Sequence, residues 1–163
     1  MVGSLNRVIW PVLLLAAVAC AVIIIRDAAS TTPSYSTGYD GTDPSQCARG
    51  GPAEAPVVAR VPLLGDRSSE IGMLRLRRSR LCATEWGQIA LDPSAAHALK
   101  GRTIEITAVR PADDRHAPYP LLLRGGNVGF GNQLGATSCV EAQAQLLPRG
   151  MASGGPTTTT PCT

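Results

Sequence analysis

Residues 71–77 read IGMLRLR, and this heptapeptide is the clearest indication of the fold. Leu74 and Leu76 alternate with arginines, which is the period of a strand with one buried face. VVARV at 57–61 precedes it across the polar turn GDRSSE, and TIEITAV at 103–109 alternates in the same way. Short alternating runs separated by turn residues predict a mainly β domain.

Four further segments carry weaker signals. YPLLL at 119–123 and VEAQAQLL at 140–147 are strand candidates, although the second also suits a short helix. DPSAAHALKG at 92–101 predicts one or two helical turns. NVGFGNQLG at 127–135 lacks the GxGxxG order of a phosphate loop, so we expect an exposed loop there. The expected fold is a small β-sheet or barrel-like domain, stapled by disulfides and preceded by one transmembrane helix.

The composition is poor in large core-forming side chains. Aromatic residues make up 4% of the chain, which has 17 Gly and 13 Pro among its 163 residues. A core of this kind is marginal unless covalent links assist it. The net charge is +3, and Lys100 is the only lysine among 15 basic residues. Because no nucleic-acid-binding motif accompanies the arginines, we expect no nucleic-acid partner.

The N-terminal segment predicts export. Residues 8–25 contain no charge and would span about 27 Å as a helix, enough to cross a hydrocarbon core. The positive-inside rule places residues 1–7 in the cytoplasm and residues from about 27 onward outside. We therefore expect a single-pass protein of the cell membrane with an uncleaved signal-anchor. Two alternatives stay open: secretion after cleavage, and lipidation of Cys20.

Three regions are expected beyond the span. Residues 26–38 are polar and predict a stalk, and residues 39–149 form the extracytoplasmic β-rich domain. Residues 150–163 are a Thr/Pro-rich tail that Cys162 ties down. The run of four threonines is interpreted as an unmodified linker in preference to a glycosylated one.

The remaining cysteines predict two disulfides. Cys47, Cys82, Cys139 and Cys162 are an even number in an oxidising compartment, and four cysteines allow three pairings. We favour Cys47–Cys82 and Cys139–Cys162 because each closes a loop within one half of the domain. A zinc site is disfavoured since no CxxC spacing occurs. Each bridge is expected to stabilise the fold by about 2–4 kcal/mol.

The stretch YDGTDPSQC at 39–47 poses a choice between an acidic metal loop and a turn. Calcium needs more oxygen ligands than Asp40, Thr42 and Asp43 provide. Asp-Gly and Asp-Pro both favour turns. We predict the first ordered turn of the domain, with Tyr39 as a packing anchor, and we expect no metal and no cofactor.

Together with GMLRLRRSRLCATEW, this stretch resembles the YjfA-like family of secreted and membrane-anchored proteins of unknown function, which is common in actinobacteria. The family pattern is roughly YDGxDPxxxxC, then GxVELRYSxxCxTxWAR, then two further cysteines. The chain departs from it at Arg75 and Arg78, where Glu and Tyr are usual. The family carries no activity to transfer. The matching positions are Tyr39, Asp40, Gly41, Asp43, Pro44, Cys47, Gly72, Leu76, Arg77, Ser79, Cys82, Thr84, Trp86, Cys139 and Cys162.

The arginines of the second predicted strand are the candidate binding residues. Arg75, Arg78 and Arg80 are candidate anion contacts, because guanidinium forks grip phosphate bidentately. The competing interpretation is a solvated strand face that protects a sheet edge. A buried or stacked contact between Arg77 and Trp86 is also predicted, since both match the family pattern.

No catalytic constellation accompanies these features. His97 and His116 stand on polar stretches without a nucleophile motif, and the carboxylates show no spacing that selects a pair. We therefore predict a non-catalytic binding module at the cell envelope, held to the membrane by residues 8–25. Its expected partner is another envelope protein or an anionic envelope polymer. The alternatives are an accessory subunit of a membrane complex and, less favoured, a carboxylate-based secreted hydrolase.

Overall fold

The computed structural model describes residues 37–48, 50–148 and 155–162. Within them the chain forms eight strands and one short helix. The strands are β1 Val57–Leu64, β2 Glu70–Ser79, β3 Thr84–Leu91, β4 Thr103–Arg110, β5 Arg115–Leu122, β6 Val128–Gly135, β7 Glu141–Leu146 and β8 Thr157–Thr159. The helix α1 is Pro93–Ala98, and 3₁₀ turns lie at Thr37–Tyr39, Pro44–Gln46, Asp66–Ser68 and Pro111–Asp113.

The strands form two antiparallel sheets of four strands each. Sheet A has the order β1-β2-β3-β6, and sheet B has the order β5-β4-β7-β8. Apolar side chains from one face of each sheet meet in a single buried core. The domain is therefore a two-sheet sandwich, which confirms the predicted mainly β fold and the strands at 57–61, 71–77 and 103–109.

The sheets approach closely where glycines face a large residue. A Cβ added to Gly87 of β3 would lie 2.7 Å from Ile106 Cγ2 of β4. A Cβ added to Gly131 of β6 would meet the same methyl carbon at 2.7 Å. Ile106 itself is fully buried. The absence of side chains at these two positions lets Ile106 fill the space between the sheets, so a core with few aromatic residues still packs.

Side chains form hydrogen bonds between the two sheets at the places where their edge strands meet, which we call the seams of the sandwich. At one seam, Asn132 Nδ2 donates to the carbonyl oxygen of Pro118 at 3.1 Å. At the other, the backbone N–H of Leu64 donates to Thr158 Oγ1 at 3.0 Å. Backbone ladders pair strands only within each sheet, so the domain is a sandwich with bridged seams and not a closed barrel.

Several predicted elements need correction or refinement. The stretch at 127–135 was expected to be an exposed loop, and it is strand β6, paired with β3. Residues 140–147 contain strand β7 and not the alternative helix. The threonine run, expected to be a linker, contributes β8, which pairs with β7. The helical turns predicted at 92–101 are present as α1.

Two disulfides fasten the domain. Cys47 pairs with Cys82 at a Cα–Cα distance of 5.6 Å, and Cys139 pairs with Cys162 at 5.5 Å. The favoured pairing is the one present. Among the described residues no helix has the length and apolar character that a membrane crossing needs. The predicted span at 8–25, Cys20 and most of the predicted stalk lie outside the described residues.

Candidate functional site

A segment that we call the strap (residues 37–48 and 50–56) crosses the outer face of sheet A from β6 to β1. It begins along the free edge of β6. The N–H of Gly41 donates to the carbonyl oxygen of Gln133 at 2.9 Å, and the N–H of Gln133 donates to Thr42 at 3.0 Å. The Gln133 side chain adds a bond from Nε2 to Thr42 Oγ1 at 2.9 Å. The strap thus starts as a short extension of the sheet.

The far end of the strap is fixed at β2 and at the turn that follows it. Ser79 Oγ donates to the carbonyl oxygen of Cys47 at 2.6 Å, and Cys47 is bonded covalently to Cys82. The N–H of Arg78 then donates to Pro56 at 3.1 Å, just before β1 begins. Backbone hydrogen bonds therefore hold the strap at both ends, and the disulfide fixes it covalently between them.

Trp86 lies beneath the strap. In the register of sheet A it stands between Arg77 of β2 and Gln133 of β6. The strap contacts both of these neighbours, and Trp86 is fully buried. Its indole Nε1 has no hydrogen-bond partner among the described residues. The strap and sheet A therefore enclose the largest buried side chain of the domain.

Arg77 is the register partner of Trp86 across β2 and β3, and a side-chain contact between the two stays a prediction. The two are directly opposed across β2 and β3, where Cβ atoms of such pairs stand about 4.5–5.5 Å apart. Arg77 is only 8% exposed, and its Nε donates to Gln88 Oε1 at 2.7 Å. Its Nη1 donates to the carbonyl oxygen of Ala55 in the strap. Burial, reinforced by the nearby charge of Arg75, lowers the pKa of the Arg77 guanidinium.

The sequence YDGTDP forms the turn that starts the strap. Gly41 has a positive φ of 77°, the left-handed conformation that glycine adopts without strain. Asp43 Oδ1 accepts a hydrogen bond from the N–H of Ser45 at 2.7 Å and so caps the 3₁₀ turn Pro44–Gln46. Pro44 is buried. These contacts are those of the predicted turn.

Asp40 takes part in a buried ion pair. Its side chain is 6% exposed, and Oδ2 lies 3.1 Å from Arg110 Nη2. Asp40 Oδ1 also accepts a hydrogen bond from the N–H of Gly135 at 2.7 Å. Arg110 belongs to β4 and Gly135 to β6. The carboxylate of the strap therefore ties the two sheets together at one end of the sandwich.

Arg110 is held from several sides. It is 3% exposed, and its Nη1 donates to the carbonyl oxygen of Gly135 at 2.7 Å. Asp113 accepts from Nε and Nη2 at 2.8 Å each, a bidentate arrangement. The hydrogen bond to Asp113, with a further contribution from Asp40, raises the pKa of Arg110 despite its burial. The same hydrogen bond lowers the pKa of Asp113. Sequence reasoning missed this network, because residues 40 and 110 are far apart in the chain.

The three candidate anion-contact arginines occupy different places. Arg75 lies on the outer face of sheet A, since the side chains before and after it are in the core. Arg78 lies on the inner side, where its Nε pairs with Glu85. Arg80 is exposed in the turn after β2, beside a cavity of about 390 Å³ that the strap residues Cys47 and Ala55 also line. Arg78 lines the same cavity as Arg80, so the structure separates Arg75 from the other two candidate arginines.

Glu85 is the second buried carboxylate. Its side chain is 0% exposed, and its Oε2 has no hydrogen-bond partner among the described residues. Burial raises the pKa of Glu85, and the hydrogen bond from Arg78 opposes this effect. A glycosidase needs two carboxylates facing one substrate bond. The described hydrogen bonds and ion pairs of Asp40 and Glu85 join each of them to an arginine or a backbone N–H.

The histidines lie at the surface. His116 Nε2 is 3.0 Å from Asp114 Oδ1, and both side chains are exposed. His97 is exposed on α1. Within ranges 37–48, 50–148 and 155–162, no three His, Cys, Asp or Glu side chains are grouped as metal ligands.

A second surface was not anticipated. Cavities of about 460 Å³ and 330 Å³ flank Tyr119, where the edge strands β5 and β6 meet. Val128 lines both cavities and is 47% exposed, and Leu122 lines the larger one. The sequence did not indicate this surface, because the glycine-rich residues 127–135, which contain β6, suit a loop.

Comparisons of the chain with models of known protein families, with curated proteins and with solved structures found no match. The resemblance to the YjfA-like family therefore stays a prediction that rests on the motif residues alone.

Proposed function

We propose that this protein is a membrane-anchored extracytoplasmic binding module of the cell envelope, related to the YjfA-like family. Residues 8–25 would be its tether, with the N-terminus in the cytoplasm. The module has no catalytic role in this proposal. It would bring the outer face of sheet A to another envelope component.

One observation carries the proposal. The polar groups of the motif are used inside the domain: Asp40 binds Arg110, Asp43 caps a turn, and Arg77 binds Gln88 and the strap. Side chains engaged in this way hold the strap to the sheet and are not arranged around a reacting bond. The motif therefore supports a scaffold, and the binding would fall to the part of the outer face beside the strap, where Arg60 is exposed and Arg75 is half-buried.

The cysteines support the proposed compartment. The four cysteines beyond residue 26 form two disulfides, and such bonds persist in oxidising compartments outside the cytoplasm. The hydrolase alternative has less support, because Asp40 and Asp113, the two carboxylates that share Arg110 Nη2, are both engaged by that guanidinium.

The proposal is tested in intact cells that express the full chain with a C-terminal epitope. External protease should remove the epitope from intact cells, and in-cell crosslinking should recover a reproducible envelope partner. A matched chain in which residues 8–25 are replaced by an unrelated apolar helix should recover the same partner. Protection of the epitope would overturn the topology. Loss of the partner in the replaced chain would favour an accessory subunit that acts through its span.

A further inference from the structure

A row of side chains crosses the outer face of sheet A next to the strap. Arg60 of β1 stands directly opposite Arg75 of β2, and Arg75 stands opposite Gln88 of β3. Phe130 of β6 completes the row. Directly opposed side chains of an antiparallel pair point to the same face with Cβ atoms about 4.5–5.5 Å apart. Arg60 and Arg75 therefore lie on the same face of neighbouring strands.

Half-buried Arg75 differs in its surroundings from most other described arginines that are not exposed. The described arginines that are buried or half-buried elsewhere each have a carboxylate within 4.0 Å: Arg78 has Glu85, Arg102 has Asp66, and Arg110 has Asp40 and Asp113. Half-buried Arg75 and buried Arg77 have no such partner among the described residues, and neither does Arg60. Glu54 favours the charged form of Arg77, but it forms no ion pair with it.

The arrangement has an energetic cost in the free protein. Like charges directly opposite each other on two strands repel, whereas opposite charges in that position stabilise a sheet. Arg77 lies two residues further along β2 on the same face and adds a third positive charge. Its Nε and Nη1 are already used by Gln88 and Ala55, so it contributes mainly through its charge. A bound anion would remove the repulsion between Arg60 and Arg75.

We propose that Arg60 and Arg75 form a binding site for a phosphate-type oxyanion, with Arg77 as supporting charge. Two guanidinium forks on adjacent strands match the several oxygens of a phosphoryl group, each fork donating two parallel N–H bonds. The ligand class is a phosphate ester, whether it belongs to a lipid headgroup or to a soluble envelope polymer. This inference rests on the proposed function, because it names the ligand chemistry of the proposed binding face.

The test uses the full chain in nonionic detergent micelles. Binding is measured calorimetrically with inorganic pyrophosphate and with soluble polyphosphate. A lipid arm compares mixed micelles that contain short-chain phosphatidylglycerol with micelles that contain phosphatidylcholine. Arg75→Gln and the double variant Arg60→Gln/Arg75→Gln remove the site. Arg124→Gln removes the same charge from an exposed position outside sheet A and is the matched control.

The site predicts that Arg75→Gln weakens binding without lowering the stability of the fold. Arg75→Gln should weaken pyrophosphate binding by about tenfold or more, while Arg124→Gln should change it by less than about twofold. At low salt the melting temperature of Arg75→Gln should not fall, since the substitution removes a repulsion. Binding of phosphatidylglycerol but not polyphosphate would identify a headgroup as the source, and the reverse would identify a polymer.

Three results would overturn the site: no binding of any probe by the wild-type chain, equal losses in Arg75→Gln and Arg124→Gln, or loss of binding only together with unfolding. None of these depends on the topology or on the envelope partner tested in cells, so the site and the proposed function fail separately.

Discussion

Substitution of Gly87 by Ala tests how closely the two sheets approach. The new Cβ would stand 2.7 Å from Ile106 Cγ2 and 3.2 Å from Ala142 Cβ, closer than packed carbon atoms tolerate. Overpacking of a filled core costs about 1–3 kcal/mol. We expect Gly87→Ala to lower the unfolding free energy by that amount. Urea titration of the full chain, followed by tryptophan fluorescence, measures the change.

The origin of this cost is isolated by a second substitution. Ile106→Ala removes Cγ2, the atom that the new methyl group would strike, and by itself costs about 2–5 kcal/mol. In the double variant the added methyl group enters the space that Ile106 leaves. The cost of Gly87→Ala/Ile106→Ala should therefore be smaller than the sum of the single costs by about 1 kcal/mol or more.

Gly131→Ala is the matched control for this rescue. Its new Cβ would also meet Ile106 Cγ2 at 2.7 Å, but in addition it lies 3.0 Å from the Cβ and 3.0 Å from the carbonyl oxygen of Ile106. Alanine keeps both of these atoms, so Ile106→Ala should rescue Gly131→Ala less than it rescues Gly87→Ala. Additive costs within about 0.5 kcal/mol for the Gly87 pair, or equal rescue at both glycines, would refute the reasoning.

Three further outcomes are expected. Asp40→Asn should cost about 1.5–3 kcal/mol in urea unfolding because Arg110 loses a charged acceptor, whereas exposed Asp114→Asn should cost nothing measurable, and equal costs would contradict the buried pair. Burial raises the pKa of Glu85 above its ordinary 4.5, so the folded state holds that proton more tightly than the unfolded state. The stabilising contribution of protonated Glu85 is complete below the ordinary pKa and is lost as pH rises through the raised one. The stability of Glu85→Gln relative to wild type should therefore improve as pH rises above the ordinary pKa of 4.5, and a constant difference would argue against the burial effect. Cys162→Ser should cost about 2–4 kcal/mol and speed amide exchange at Thr157–Thr159 but not in β2, and a second substitution at Cys139 should add almost nothing.

The alternating strands could be predicted because their pattern reports one buried face. Strand β2 shows this, with Leu74 and Leu76 in the core. Strand β3 was not singled out, because the strap buries its outer face too. Thr84, Trp86 and Gln88 are therefore as inaccessible as the inward-facing residues between them, and the usual alternation disappears.

The prediction of a loop at the glycine-rich strand β6 was wrong for a different reason. In β6 the glycines reflect close approach of the sheets: a Cβ on Gly129 would lie 2.1 Å from Leu121 Cδ2. Local propensity assigns such residues to loops, whereas packing against the opposite sheet decides their place here. The partners of Arg75 and Arg78 likewise depended on register, which the sequence did not specify.

The disulfide between Cys47 and Cys82 also decides how the domain responds to mechanical force. Strands β1 and β2 lie wholly within the loop that it closes. If an N-terminal tether is pulled while a ligand holds sheet A, the described residues that can peel away before the covalent bond takes the load are the ten from Thr37 to Gln46. At about 3.5 Å per extended residue, the chain lengthens by only about 35 Å. The Cys47–Cys82 bond therefore sets an upper limit on how far this segment can extend under force.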